Sequence, residues 1–161
     1  MWSRGLSRRA ALLGVLALAG CGFAPVDAAR YQILGRIAYD TPDTVDGFFL
    51  RRQLETRLGR TNTAEEILSV SLTTRQRGAA ISADGDTTRV NLLGEATWIL
   101  RDVQTDAVIA EGTVETFTSY SATGTTVATQ AAAEDAARRL SVILADMVAS
   151  RVLLLDRGAA A

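Results

Sequence analysis

The sequence predicts an α+β fold: a two-layer sandwich of about four mostly antiparallel strands with two helices on one face, in the order β-α-β-β-β-α. Three observations carry that expectation. Alternation of apolar and polar residues recurs at 33–39, 67–74, 90–100 and 108–120. Two other stretches, 46–58 and 129–155, place their apolar residues at the 3.6 period of a helix. The last three strands follow one another through turns, as an antiparallel meander requires.

The chain opens with Arg4, Arg8 and Arg9, then an apolar core from Ala10 to Ala19. A core of about ten residues suits a signal peptide and is too short to span a bilayer. Leu18-Ala19-Gly20-Cys21 follows and holds the only cysteine. Small residues at Ala19 and Gly20 allow an extended backbone to enter a peptidase cleft. With the cysteine behind them, the segment resembles the lipobox of bacterial lipoproteins. That resemblance implies diacylglycerol on the Cys21 thiol and cleavage just before it. Each buried methylene contributes about 0.8 kcal/mol, so two or three acyl chains tether a protein durably where one does not. The expected organisation is a signal peptide at 1–20, a lipidated tether at 21–30, a single domain at 31–157 and a tail at 158–161. Ser7-Arg8-Arg9 also resembles a twin-arginine export signal, and the route stays open between that and the general one. Gly22 after the cysteine, where an aspartate would favour inner-membrane retention, leans towards the outer membrane.

Cleavage removes three arginines and no acid, leaving fourteen basic against eighteen acidic residues, a net charge of −4. Such a chain is no natural nucleic-acid binder. Histidine is absent and the one thiol is expected to be acylated, which removes Cys/His metal sites, Ser-His-Asp triads and Cys-His dyads. No enzyme activity, metal or cofactor is expected. Every basic residue is arginine.

Pro25 keeps the tether from forming helix. Ile33, Gly35, Ile37 and Tyr39 alternate as a first strand, which Thr41-Pro42-Asp43 ends. Asp46 is the expected N-cap of the first helix, with Val45 before it stapled on Leu50. Leu50, Leu54 and Leu58 form its buried stripe, and Gly59 is expected to close it in the left-handed conformation. Leu68, Val70 and Leu72 give the second strand one dry face, and 75–86 reads as a polar connection with a turn at Asp84-Gly85-Asp86. Val90 to Leu100 is the longest strand, and Val108 to Tyr120 the last. In the final helix Ala133, Ala136, Ala137, Leu140, Ile143, Leu144, Met147, Val148 and Val152 make the stripe, with Glu134 and Asp135 early and Arg151 and Arg157 late, as the helix dipole favours.

Five ordered motifs stand out: Cys21-Gly22-Phe23-Ala24-Pro25-Val26, Thr88-Arg89-Val90-Asn91-Leu92, Ala96-Thr97-Trp98-Ile99-Leu100-Arg101-Asp102, Ser119-Tyr120, and Ala128-Thr129 with Ala133-Glu134-Asp135-Ala136. Together, in this order and spacing, they resemble the LPS-assembly lipoprotein family, LptE, in its alphaproteobacterial form. The resemblance implies an outer-membrane lipoprotein on the periplasmic side. Its expected partners are the LptD barrel, whose assembly it assists, and lipopolysaccharide, which some members bind directly. Its expected hold on the membrane is through the N-terminal acyl chains.

Lipopolysaccharide offers phosphates and carboxylates beside acyl chains, and the planar fork of arginine matches such oxyanions. Arg75, Arg77 and Arg89 would cluster if the second and third strands form a hairpin. They are the candidate ligand residues, and the alternative is a solvated polar edge that discourages sheet-to-sheet association. Asp84 and Asp86 lack the further ligands of a calcium loop. Glu65 and Glu66, adjacent in a strand, would point to opposite faces. Trp98 is expected in the core. A second functional class stays open as well: an auxiliary lipoprotein of an inner-membrane lipid transport machine.

Overall fold

A computed structural model describes residues 34–81 and 87–155, without the side chains of Ile81 and Thr87. The signal peptide, Cys21, the tether, the Asp84–Asp86 turn and the tail at 158–161 lie outside the described residues. The elements are β1 (Ile37–Asp40), α1 (Val45–Leu58), β2 (Glu66–Ile81), β3 (Thr87–Asp102), β4 (Val108–Ser121) and α2 (Thr126–Leu153). The four strands form one sheet in the order β1-β2-β3-β4. β1 runs parallel to β2, and the other two pairs are antiparallel. The sandwich and its element order are those the alternation and the helical stripes predict.

Both helices cover the same face. Leu68 and Val70 of β2, with Leu92, Ala96, Trp98 and Leu100 of β3, are buried there beneath Leu50, Leu54 and Leu58 of α1 and Leu140, Leu144, Val148 and Val152 of α2. The buried strand positions are alternate residues, so the intervening ones populate the opposite, uncovered face. Buried Thr118 ties the layers together by donating to the Ala136 carbonyl at 2.9 Å. The two helices are linked by Asp146, which accepts from Gln53 at 2.9 Å and faces Arg57 at 3.4 Å.

Several expectations are corrected. Thr44, not Asp46, caps α1: its hydroxyl accepts from the Gly47 amide at 3.1 Å, and Asp46 lies inside the first turn. Val45 is therefore helical and 73% exposed, so it staples nothing. Gly59 does take a positive φ of 86°, but with an extended ψ of 168° it turns the chain away without entering the left-handed helical region. β1 begins only at Ile37, because the Gly35 amide is engaged with the Leu58 carbonyl at 3.1 Å. Glu65 precedes β2 and pairs with Arg36. β2 runs seven residues past Thr74, so Arg75 and Arg77 lie within a strand. Ile143 is 40% exposed on the flank of α2, outside its buried stripe.

Candidate functional site

Along its middle the uncovered sheet face carries the short polar residues Ser69, Ser71, Thr73, Thr97 and Thr113, with Ile67 and Ile99 among them at the end near β1. Towards the β2–β3 hairpin its character changes. Arg75 pairs with Leu93, and Leu93 with Phe117, giving one row across three strands. The next row is Arg77, Asn91 and Ser119. Arg89 follows, opposite Ala80 on one side and Ser121 on the other. The hairpin thus brings the three arginines onto one face as neighbours, all of them exposed.

What the arginines stand beside was not anticipated. Leu93 is 41% and Phe117 61% exposed, side by side on a face with no helix over it. The signal was present: Leu93 follows Leu92, and Phe117 sits between Thr116 and Thr118, each in the phase the alternation reserves for water. On the other side of this apolar pair, Glu95 and Glu115 lie directly opposite each other, with Thr73 beside Glu95. A shallow hollow of about 120 Å³ is lined by Thr73, Arg75, Leu93, Glu95 and Glu115.

Arg75 thus shares the apolar row with Leu93 and Phe117, Arg77 and Arg89 lie on its hairpin side, and the carboxylates lie on the other. An amphiphile with an anionic head and an acyl body matches the arginines and the apolar pair, since guanidinium binds oxyanions in a fork and exposed apolar side chains favour hydrocarbon over water. The carboxylates would repel a head placed the wrong way round. From the other face, the Tyr120 hydroxyl donates to Gln76 at 3.4 Å, bracing β4 to β2 behind the arginines.

The chain enters the described region at the opposite end of the molecule. Gly35 and Gly59 meet there, at the C-terminal end of α1 and beside the start of β2. Arg75 is nine positions along β2 from Glu66, about 30 Å at strand spacing. Among the described residues no group of three or more acidic, histidine or cysteine side chains could hold a metal ion. No helix among them is long and apolar enough to cross a membrane.

Comparison with protein families matches residues 28–152 to the LptE family, described as lipopolysaccharide-assembly. Comparison with curated proteins gives no match. Among solved structures, a protein of Caulobacter crescentus CB15 described as a lipoprotein superposes with a TM-score of 0.64 at 21% identity, over 81% of this chain and 93% of its own. A minor lipoprotein of Acinetobacter baumannii gives 0.58 at 22% identity, over 74% and 92%. The rare lipoprotein B of Shewanella oneidensis gives 0.55 at 14%, over 73% and 97%. At these identities the likeness is one of fold.

Proposed function

The chain belongs to the lipopolysaccharide-assembly family LptE, a family of non-enzymatic lipoproteins, and on that premise we propose that it is an outer-membrane lipoprotein that assists assembly of the LptD barrel and delivery of lipopolysaccharide to the cell surface. Cys21 carries the anchor in this reading. The uncovered sheet face supports the barrel half of it. A domain held against or inside a wet lumen needs a surface of short polar side chains, and Ser69, Ser71, Thr73, Thr97 and Thr113 supply one.

The row Arg75–Leu93–Phe117 supports direct contact with lipopolysaccharide. It sets a cation beside exposed hydrocarbon in register across three strands. The row lies at the end of the sheet remote from Leu34, where the described residues begin.

Depletion tests the reading. Loss of this protein should lower the amount of correctly folded LptD and make the outer membrane permeable to large hydrophobic compounds. Normal barrel levels with a normal permeability barrier would overturn it. Co-purification with an ATPase or permease in place of a barrel would move the protein to an inner-membrane lipid transport machine.

A further inference from the structure

On the far side of the molecule from the sheet face, α1 and α2 leave a groove of about 580 Å³. Phe49, Val142 and Ile143 give it an apolar lining, and Arg52, Arg138 and Arg139 supply its charge. No carboxylate lines it. Asp135, outside this half of the groove, serves both Arg138 and Arg139, the second at 2.9 Å. Arg52 has no carboxylate partner among the described residues. Three cations against one offset carboxylate leave the site net positive.

The groove continues past Phe49 and Arg138 into a second hollow of about 760 Å³ towards the start of both helices. Val45, Ala131 and Ala137 extend the apolar lining there, while Asp46, Glu134 and Asp135 make its charge negative. An anionic head is thus drawn to one half and repelled from the other, while hydrocarbon can lie along both. Each half falls in the size range of small-molecule sites, about 300–1,000 Å³.

We propose that this groove binds one anionic glycerophospholipid. Its phosphate sits on Arg52 and Arg138, Arg139 being turned to Asp135 and the Ser119 carbonyl, and one acyl chain lies over Phe49 towards Val45. Guanidinium matches phosphate in a bidentate fork. Phosphate alone would leave the apolar lining wet, so the site selects an oxyanion that carries hydrocarbon. This inference goes beyond lipopolysaccharide handling and uses none of the residues of the sheet face.

The test uses the mature, lipid-anchored protein in phosphatidylcholine nanodiscs doped with phosphatidylglycerol carrying a photoreactive group on its acyl chain. Adducts are expected on the peptides holding Phe49, Val142 and Ile143. Labelling should fall about fivefold in Arg52→Gln/Arg138→Gln, the discounted worth of two exposed charge contacts, and stay unchanged in Arg75→Gln/Arg77→Gln/Arg89→Gln. Arg52→Gln alone breaks no ion pair, so a partial loss in that variant separates lost binding from lost folding. Equal labelling by a phosphatidylcholine probe overturns the proposal, as does displacement by inorganic phosphate, which marks a bare oxyanion site. Displacement by lipopolysaccharide but not by unlabelled phosphatidylglycerol overturns it too.

Discussion

The carbonyl oxygen of Pro42 fills the space beside Gly47 where any other residue would carry its Cβ: an atom built there stands 2.0 Å from that oxygen. Gly47 lies in the first turn of α1, and its amide is the one that Thr44 caps. In an open helix, glycine to alanine gains about 0.5–1 kcal/mol. Here the Cβ would collide with backbone, which cannot swing aside as a side chain can, and overpacking costs about 1–3 kcal/mol. The sign should therefore reverse. Gly47→Ala is expected to lower the urea midpoint with little change in slope. A midpoint equal to or above that of the parent protein would show that the Thr41–Thr44 segment moves without penalty.

Glu95 and Glu115 face each other across β3 and β4 on the uncovered face, like charges at paired positions. Such pairs destabilise, with cross-strand effects of about 0.2–1 kcal/mol. Glu115→Gln should raise the thermal midpoint slightly, and the gain should shrink in high salt as the repulsion is screened. A loss of stability would mean that a cation bridges the two carboxylates.

The elements whose alternation touches the core were legible, and those that touch none were not. Leu68, Val70, Ala96, Trp98 and Leu100 announce a half-buried sheet because burial acts on every second residue. Beyond Thr73, β2 is exposed on both faces, so Arg75-Gln76-Arg77-Gly78-Ala79-Ala80 has no apolar phase to betray a strand. Only the partner strand β3 shows that a hairpin continues there. Thr44 and Asp46 are both good caps, and the choice between them was made by where Pro42 turns the chain. The candidate arginines were found by type, because oxyanion chemistry calls for arginine. Leu93 and Phe117 belong to no motif, and their meaning comes from lying side by side in register with Arg75.

The β3–β4 turn should carry a pH signature. The Asp102 carboxylate accepts from the Thr105 amide at 2.8 Å, the Thr105 hydroxyl at 2.9 Å and the Gln104 amide at 2.9 Å. The Thr105 amide and hydroxyl do most to hold its pKa below the usual carboxylate value. A pKa depressed in the folded state contributes stability that is present above the unfolded value and is lost as pH falls through the folded one. Carboxyl carbon NMR should place the Asp102 titration below the ordinary aspartate value. Exchange of the Gln104 and Thr105 amides, corrected for intrinsic pH dependence, should rise over the same acidic window. In Asp102→Asn that rise should vanish. A midpoint at or above the ordinary aspartate value would show that the turn leaves the carboxylate indifferent to its donors.

The last expectation concerns the arginines of the sheet face. Arg75, Arg77 and Arg89 are exposed, so each contact with a lipopolysaccharide phosphate is worth about 0.2–1 kcal/mol and not the larger value of a desolvated pair. Three such contacts together amount to about tenfold in affinity. Replacing all three by glutamine keeps length and polarity, and none of them has a carboxylate partner among the described residues, so the fold should persist. Binding of the mature protein to lipopolysaccharide should weaken by about tenfold and lose most of its salt dependence. Changing Leu93 and Phe117 to serine should weaken binding as well but leave the salt dependence in place, because it removes hydrocarbon contact and no charge. The control is Arg51→Gln/Arg57→Gln/Arg60→Gln on and just after α1, which alters net charge equally on the other side of the molecule; because it breaks ion pairs to Glu55 and Asp146, it is compared at equal folded fraction. If this control weakens binding as much as the sheet-face variant, the effect is one of overall charge and no patch exists. If neither triple nor the Leu93/Phe117 change matters, the sheet face serves the barrel partner and its arginines are a polar edge.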